Sequence, residues 1–277
     1  MSTPRNQSVI KAFAMLKSFA RPDEWLTSSE LSRRAKLPEA SGYRLIQTLE
    51  ELGAVTRGPK GRYRPGMLLV SLSEKVIVGD LLHEAAHDIA EELGKRLDVT
   101  VHVGIFENGM VTYVTKVSTP RSLALNTRPG AQLEAYCSGL GKILLASLEN
   151  DELDSFIFEG DLVALTPHTI TDKAQLRAHL EDVRRLGYAV DNREIQLDMC
   201  CVAVPIHDSQ LRTIAAISAT EYADRMTADR QRELRGALQE AAKEIGRRVF
   251  RDHPPLRRGV PMKVTACNEV SLSQGAA

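Results

Sequence analysis

Several groupings of side chains in this 277-residue chain could support chemistry. His83-Glu84-Ala85-Ala86-His87 fits HExxH, in which two histidines one helical turn apart bind zinc and the glutamate serves as base. A zinc-dependent hydrolase built on His83, Glu84 and His87 is therefore one reading. Against it, Asp88 follows where zinc-hydrolase helices usually carry an uncharged residue, and no third ligand is identifiable. Gly139-Leu140-Gly141-Lys142 looks like part of a phosphate loop, but Ile143 stands where a Ser or Thr must hold magnesium. Cys200 and Cys201 are neighbours, so on a strand their side chains point to opposite faces and cannot form one metal or redox pair. No GxSxG nucleophile elbow occurs. The remaining grouping is basic: Arg44, then Arg57, Lys60, Arg62 and Arg64, a set suited to backbone phosphates. The sequence points to a binding protein without a cofactor or catalytic residues.

Charge along the chain supports that direction. The formal net charge is zero, yet residues 1–66 carry twelve Lys/Arg against six Asp/Glu, a net of +6. Residues 67–250 carry a net of −8, and residues 251–277 return to +2. A basic module for a polyanion joined to an acidic module with another task is the implied organisation. Hydrophobic residues at 43% suffice for real cores. No stretch approaches the ~20 apolar residues of a membrane span, and Met1 to Gln7 lead into a charged helix pattern without a leader-like apolar run. The four cysteines, at 137, 200, 201 and 267, form no CxxC pair or disulfide framework. A cytoplasmic protein without membrane association is expected.

The elements that must position these groups follow from periodicity. Val9, Phe13, Leu16 and Ala20 predict a first amphipathic helix, broken by Pro22 and Asp23. Thr27-Ser28-Ser29-Glu30 reads as a capping box opening a second helix to about Lys36. Leu37-Pro38 turns into a third helix carrying Tyr43, Leu45, Ile46, Leu49 and Leu52, closed by Gly53. Strands 54–57 and 62–64 then flank the turn Gly58 to Gly61. Three helices and a basic hairpin make a winged helix-turn-helix over residues 1–66. Its third helix would enter a major groove ~12 Å wide. Ser28, Glu39, Ala40, Ser41, Gly42, Tyr43 and Arg44 would approach bases or phosphates, with Arg57, Lys60 and Arg62 beside them. Leu81, Ala85, Ile89, Leu93 and Leu97 place one long linker helix over 67–97, whose apolar stripe invites self-association. From Val99 the period becomes two. A hairpin turns at Glu107-Asn108-Gly109, helices follow near 138–148 and 172–187, strands near 200–206 and 211–220, and a last helix over 227–250. An α+β domain over 98–250 with a central antiparallel sheet is expected, and 251–277 reads as a flexible tail.

Several blocks of this sequence resemble IclR-type bacterial transcription regulators. SVIKAFAMLKSF, LTSSELSRRAKLPEASGYRLIQTLEELGAV and GRYRPG are similar to that family's N-terminal domain. LEAYCSGLGKILLAS and RRLGYAVDNREIQLDMCCVAVPI are similar to its effector-binding domain. The resemblance spans roughly residues 8–250. It implies a winged-helix reader, a linker helix and a GAF-like ligand domain, with homodimers or homotetramers on a palindromic double-stranded operator. It also implies an effector site at Gly139, Leu140, Asp191, Cys201, Ser218 and Thr220. Free N–H groups at the start of the 138–148 helix suit a carboxylate, and hydroxyls at 218 and 220 share one face of a strand. A small organic or aromatic acid would fit. Gly42 departs from the family, which usually has a β-branched residue there.

Overall fold

The computed structural model describes residues 6–21, 24–123 and 125–250. The break expected at Pro22-Asp23, the N-terminal segment up to Arg5 and the tail expected over 251–277 lie outside the described residues. The chain divides between Ile77 and Val78 into two compact units.

In the first unit, α1 (Gln7–Leu16) is capped by Asn6, whose Oδ1 accepts the Ser8 N–H at 3.0 Å. A two-residue strand β1 (Leu26–Thr27) leads into α2 (Ser28–Arg34), and the capping box forms: the Glu30 N–H donates to Thr27 Oγ1 while the Thr27 N–H donates to the Glu30 carboxylate. α3 spans Glu39–Glu51, with Pro38 as its cap. β2 (Val55–Arg57) and β3 (Arg62–Pro65) form the hairpin, and β1 adds itself to β3 to give the order β1-β3-β2. Two residues give too short a run for sequence periodicity to reveal β1. Met15, Leu31, Ile46, Leu49, Val55 and Tyr63 close one core.

The single linker helix expected over 67–97 is two helices, α4 (Met67–Ser73) and α5 (Val78–Leu97). Between them Lys75 and Val76 donate to Leu72 O and Ser73 O, three residues back, so the chain tightens and leaves the α-helical ladder. Val76-Ile77 is a β-branched pair with low helix propensity, which makes this the weak point of the run.

The second unit is built on a sheet of β4 (Thr100–Glu107), β5 (Met110–Val117), β6 (Gln132–Glu134), β7 (Ala189–Asn192), β8 (Met199–His207) and β9 (Thr213–Tyr222). Its order is β6-β5-β4-β9-β8-β7, antiparallel throughout. Strand alternation sorts the side chains. Val101, Val103, Val202, Val204, Ile217 and Ala219 face one side, packed by α5 and α9 (Ala228–Val249). The other side carries α6 (Gly139–Ala146) and, outside it, α7 (Asn150–Glu159) and α8 (Lys173–Leu186). The expected α+β class is what is found. Among the described residues no helix is long and apolar enough to cross a membrane.

Gly42 is buried where α3 crosses α2: a β-carbon there would run into the Ser32 hydroxyl, and its next nearest neighbour is Ser32 Cβ at 2.8 Å. Gly42→Ala should therefore destabilise the first unit by about 1–3 kcal/mol through overpacking. Adding Ser32→Ala, which removes the obstructing oxygen, should recover part of that loss in urea unfolding. An equal cost in both backgrounds would show that the close crossing does not exist in solution.

Candidate nucleic-acid interface and ligand site

The outward face of α3 presents Glu39, Ala40, Tyr43, Arg44, Gln47, Thr48 and Glu51, all exposed. Helical spacing puts 40, 43, 44, 47 and 48 on one stripe. Tyr43 Oη accepts from Gln47 Nε2 at 3.1 Å, and Thr48 Oγ1 donates to Arg44 O at 3.1 Å. Ser28 and Ser41 are half-buried at the edges of this face. Gly42, expected to approach DNA, does not: it faces inward against Ser32, because a backbone crossing this close admits no side chain. Gln47 and Thr48 went unnoticed in the sequence, although they sit four residues after Tyr43 and Arg44.

The hairpin is organised by Trp25. Arg62 Nη1 donates to Trp25 O at 2.9 Å, and the Arg64 guanidinium lies over the Trp25 ring at 4.9 Å. Arg62 also lies 4.0 Å from Glu30. Arg57 and Lys60 sit nearer the tip, exposed, with Lys60 in the left-handed region at φ 56. Among the described residues Arg44, Arg57, Lys60 and Arg64 form no ion pair with a carboxylate, so their charge faces solvent and is available to a polyanion.

The zinc reading does not survive the geometry. His83 Nδ1 lies 3.0 Å from Thr115 Oγ1 and 3.2 Å from Val114 O, so this ring ties α5 to β5. Glu84 and His87 are exposed, and among the described residues no group of His, Cys, Asp and Glu could hold a metal. The Gly139 to Lys142 run is no phosphate loop either. Lys142 is fully buried and ion-paired with Glu194, and it donates to Val190 O at 3.2 Å.

On the α6 side of the sheet a polar strip crosses the strands. Asp191, Cys201, Thr220 and Thr100 stand opposite one another on β7, β8, β9 and β4. Two residues along, Ala203, Ser218, His102 and Lys116 form the next row on the same face. The Ser218 and Thr220 hydroxyls hydrogen-bond toward the Cys201 sulfur, and burial pushes that thiol up to about 12. α6 begins directly above: a β-carbon on Gly139 would lie 3.0 Å from Cys201 Sγ and 3.3 Å from Ala203 Cβ. Ser138 caps the helix by accepting the Gly141 N–H at 3.0 Å, while the Gly139 and Leu140 N–H groups have no carbonyl one turn earlier. The six residues expected at the ligand site are thus brought together.

Asp191 is the unusual member. Its Oδ1 accepts the Glu194 N–H at 2.7 Å, whereas Oδ2 is buried without a partner among the described residues. The carboxyl is fully enclosed, and that burial raises its pKa from 3.8 to about 7, with the nearby Glu194 charge adding to the effect.

Comparison with known proteins bears on these two sites together. The model "Bacterial transcriptional regulator IclR C-terminal" matches residues 75–247, more than half of the chain, and "IclR helix-turn-helix domain" matches residues 8–59. The chain belongs to the IclR family. It is 29% identical over 245 residues to the HTH-type transcriptional regulator XynR of Escherichia coli, covering 88% of this chain and 97% of XynR. It is 26% identical over 247 residues to the Transcriptional repressor IclR of Escherichia coli, covering 88% and 90%. Among solved structures, the Thermotoga maritima IclR is 30% identical with a TM-score of 0.59, covering 87% of this chain and 98% of that one. These relatives are transcriptional regulators and not enzymes. The IclR-family chain described here accordingly joins a DNA-binding helix-turn-helix domain to a C-terminal effector domain.

Around these polar rows of the IclR-family chain lie groups that the sequence did not single out. His102 Nε2 meets Thr127 Oγ1 at 2.8 Å and its ring lies 4.7 Å from that of Tyr113. Burial holds His102 neutral, its pKa pushed down to about 3, and raises the Tyr113 phenol above its usual value. Lys116 Nζ donates to Leu125 O at 2.6 Å and Thr127 O at 3.0 Å, while Thr100 Oγ1 donates to Ser122 Oγ at 2.9 Å. The segment after β5 is thereby fastened over the polar rows. The available signal was alternation: with Val99, Val101 and Val103 facing one core, Thr100 and His102 must face the other side.

A pH dependence of stability follows from Asp191. Its folded pKa is raised, so its contribution is present in full below the ordinary value of 3.8 and is lost as the pH climbs toward about 7. Asp191→Asn, a neutral isostere, should raise Tm at pH 8 and raise it much less at pH 5. An equal shift at both pH values would show that the carboxyl is not ionising inside the fold.

Proposed function

We propose that this regulator binds a palindromic operator as a homodimer or homotetramer, controls catabolic or transport genes, and responds to a small organic or aromatic acid. Asp191 Oδ2 carries the reading: a buried carboxyl oxygen without a partner among the described residues, one strand from the start of α6, suits contact with a polar ligand. The Gly139 and Leu140 N–H groups suit the acid's carboxylate, and Ser218, Thr220 and Cys201 line the floor between. The apolar side chain of Leu140, beside Gly139, favours a ligand with a compact carbon skeleton. For DNA, the support is the exposed α3 stripe beside the uncompensated Arg57 and Lys60.

Effector and operator are coupled by linkage. A ligand changes operator affinity only by binding one arrangement of the paired reader domains better than another. Relatives named as repressors support an action in which the unliganded or liganded form blocks transcription.

Gel retardation of the intergenic DNA upstream of the regulator's own locus tests the reading. Arg44→Ala should abolish the shifted band, Lys60→Ala should weaken binding roughly tenfold at low salt with a shallower salt dependence, and His83→Ala should leave retardation largely intact. A wild-type protein that retards no such fragment, with or without organic acids, would overturn it.

A further inference from the structure

The effector site has a charge balance that constrains what can enter it. Most of the groups around Asp191 bear negative charge or none. Glu194 follows it on the same segment, Cys201 stands opposite it on β8, and the Cys137 thiol and Tyr113 phenol lie near enough to feel its charge. Burial and these neighbours keep the thiols and the phenol protonated. Two cations lie by the cluster: Lys142 on α6, already ion-paired with Glu194, and Arg193, which acts on Cys200 at the opposite face of β8. The Lys116 ammonium on β5 is engaged with Leu125 O and Thr127 O. His102 is neutral.

The geometry points to an effector acid bound through a shared proton: the protein takes up one proton on Asp191 Oδ2, which then donates to the carboxylate held at the start of α6. The argument rests on the effector reading given above and goes beyond it by fixing the protonation of the complex. Two carboxylates cannot both remain ionised a hydrogen bond apart in a buried site without a free cation, and the repulsion is removed when one carries the proton. Asp191 is the one to carry it. Its Oδ1 is occupied by the Glu194 N–H, its Oδ2 is unpartnered, and a carboxylic acid there supplies the donor that the ligand carboxylate needs. Burial has already moved Asp191 to about 7, so the proton is readily taken up near neutrality, whereas a free small acid is ionised there. Lys142 and Glu194 are positioning residues in this scheme, neutralising each other and leaving Asp191 to respond to the ligand.

Titration calorimetry of the full-length protein with benzoate and with pyruvate, each in HEPES and in Tris, reads the proton directly from the difference in heat between buffers. For whichever acid binds, uptake should approach one proton per ligand at pH 8 and fall toward zero by pH 6, with Kd rising about tenfold per pH unit above pH 7. Asp191→Asn keeps a donor in place and should bind the same acid with no proton uptake and little dependence on pH. Binding by the wild type with no uptake at pH 8 would overturn the shared proton while leaving the effector reading intact. Unchanged uptake in Asp191→Asn would place the proton elsewhere and overturn it equally. If neither acid bound at any pH, the effector reading itself would fail and the shared proton with it.

Discussion

Lys142 is wholly enclosed, its ammonium paired with Glu194 and donated to Val190 O. The arrangement of the effector half depends on that buried ion pair. Breaking such a pair by deleting one partner leaves an uncompensated charge in a low-dielectric interior, which typically costs ~3–5 kcal/mol. The pair therefore pins α6 to the end of β7 and the segment that follows it. Thr166 and Thr169 fasten that segment from the other side, donating to Arg193 O and Glu194 O at 2.7 Å each. With α6 held in this way, its first residue packs against β8, where a β-carbon on Gly139 would lie 3.0 Å from Cys201 Sγ. With Lys142 taken up by Glu194, Asp191 is left as a buried acid without an ion pair among the described residues.

The two halves solve opposite electrostatic problems. In the reader domain, cationic side chains are kept in water and apart from carboxylates, with a few exceptions that serve construction. Arg34 pairs with Glu24 at 2.7 Å, and Arg62 and Arg64 are drawn to Trp25. Surface charges of this kind contribute little to stability, and their value lies in attracting a polyanion over a distance set by salt. In the effector domain, charge is buried in small amounts and mostly paired, while carboxyl oxygens of Asp191 and Glu194 are left without partners among the described residues.

Much of this was legible before any coordinates. The capping box at Thr27 and Glu30, the turn at Pro38 and the basic hairpin were readable because each is a local device whose residues are close in sequence. The gathering of Gly139, Asp191, Cys201, Ser218 and Thr220 came from resemblance to a family, since contacts between positions as far apart as 139 and 220 are set by strand order and not by local pattern. His102, Tyr113 and Lys116 were missed for that reason. HExxH misled because five residues specify a helix face but not what stands opposite it, and opposite His83 stands Thr115.

What the chain's own order of residues determined is the identity of its elements, the separation of a basic module from an acidic one, and the chemical types present at each position. Tertiary structure alone decided that Gly42 is a contact between helices and not a reader of bases, that the linker breaks at Val76-Ile77, and that Lys142 meets Glu194 and not a phosphate. The reason is physical. Propensity, capping and alternation act over a few neighbouring residues, whereas burial, and with it the ionisation of Asp191, depends on what distant segments bring to the same place.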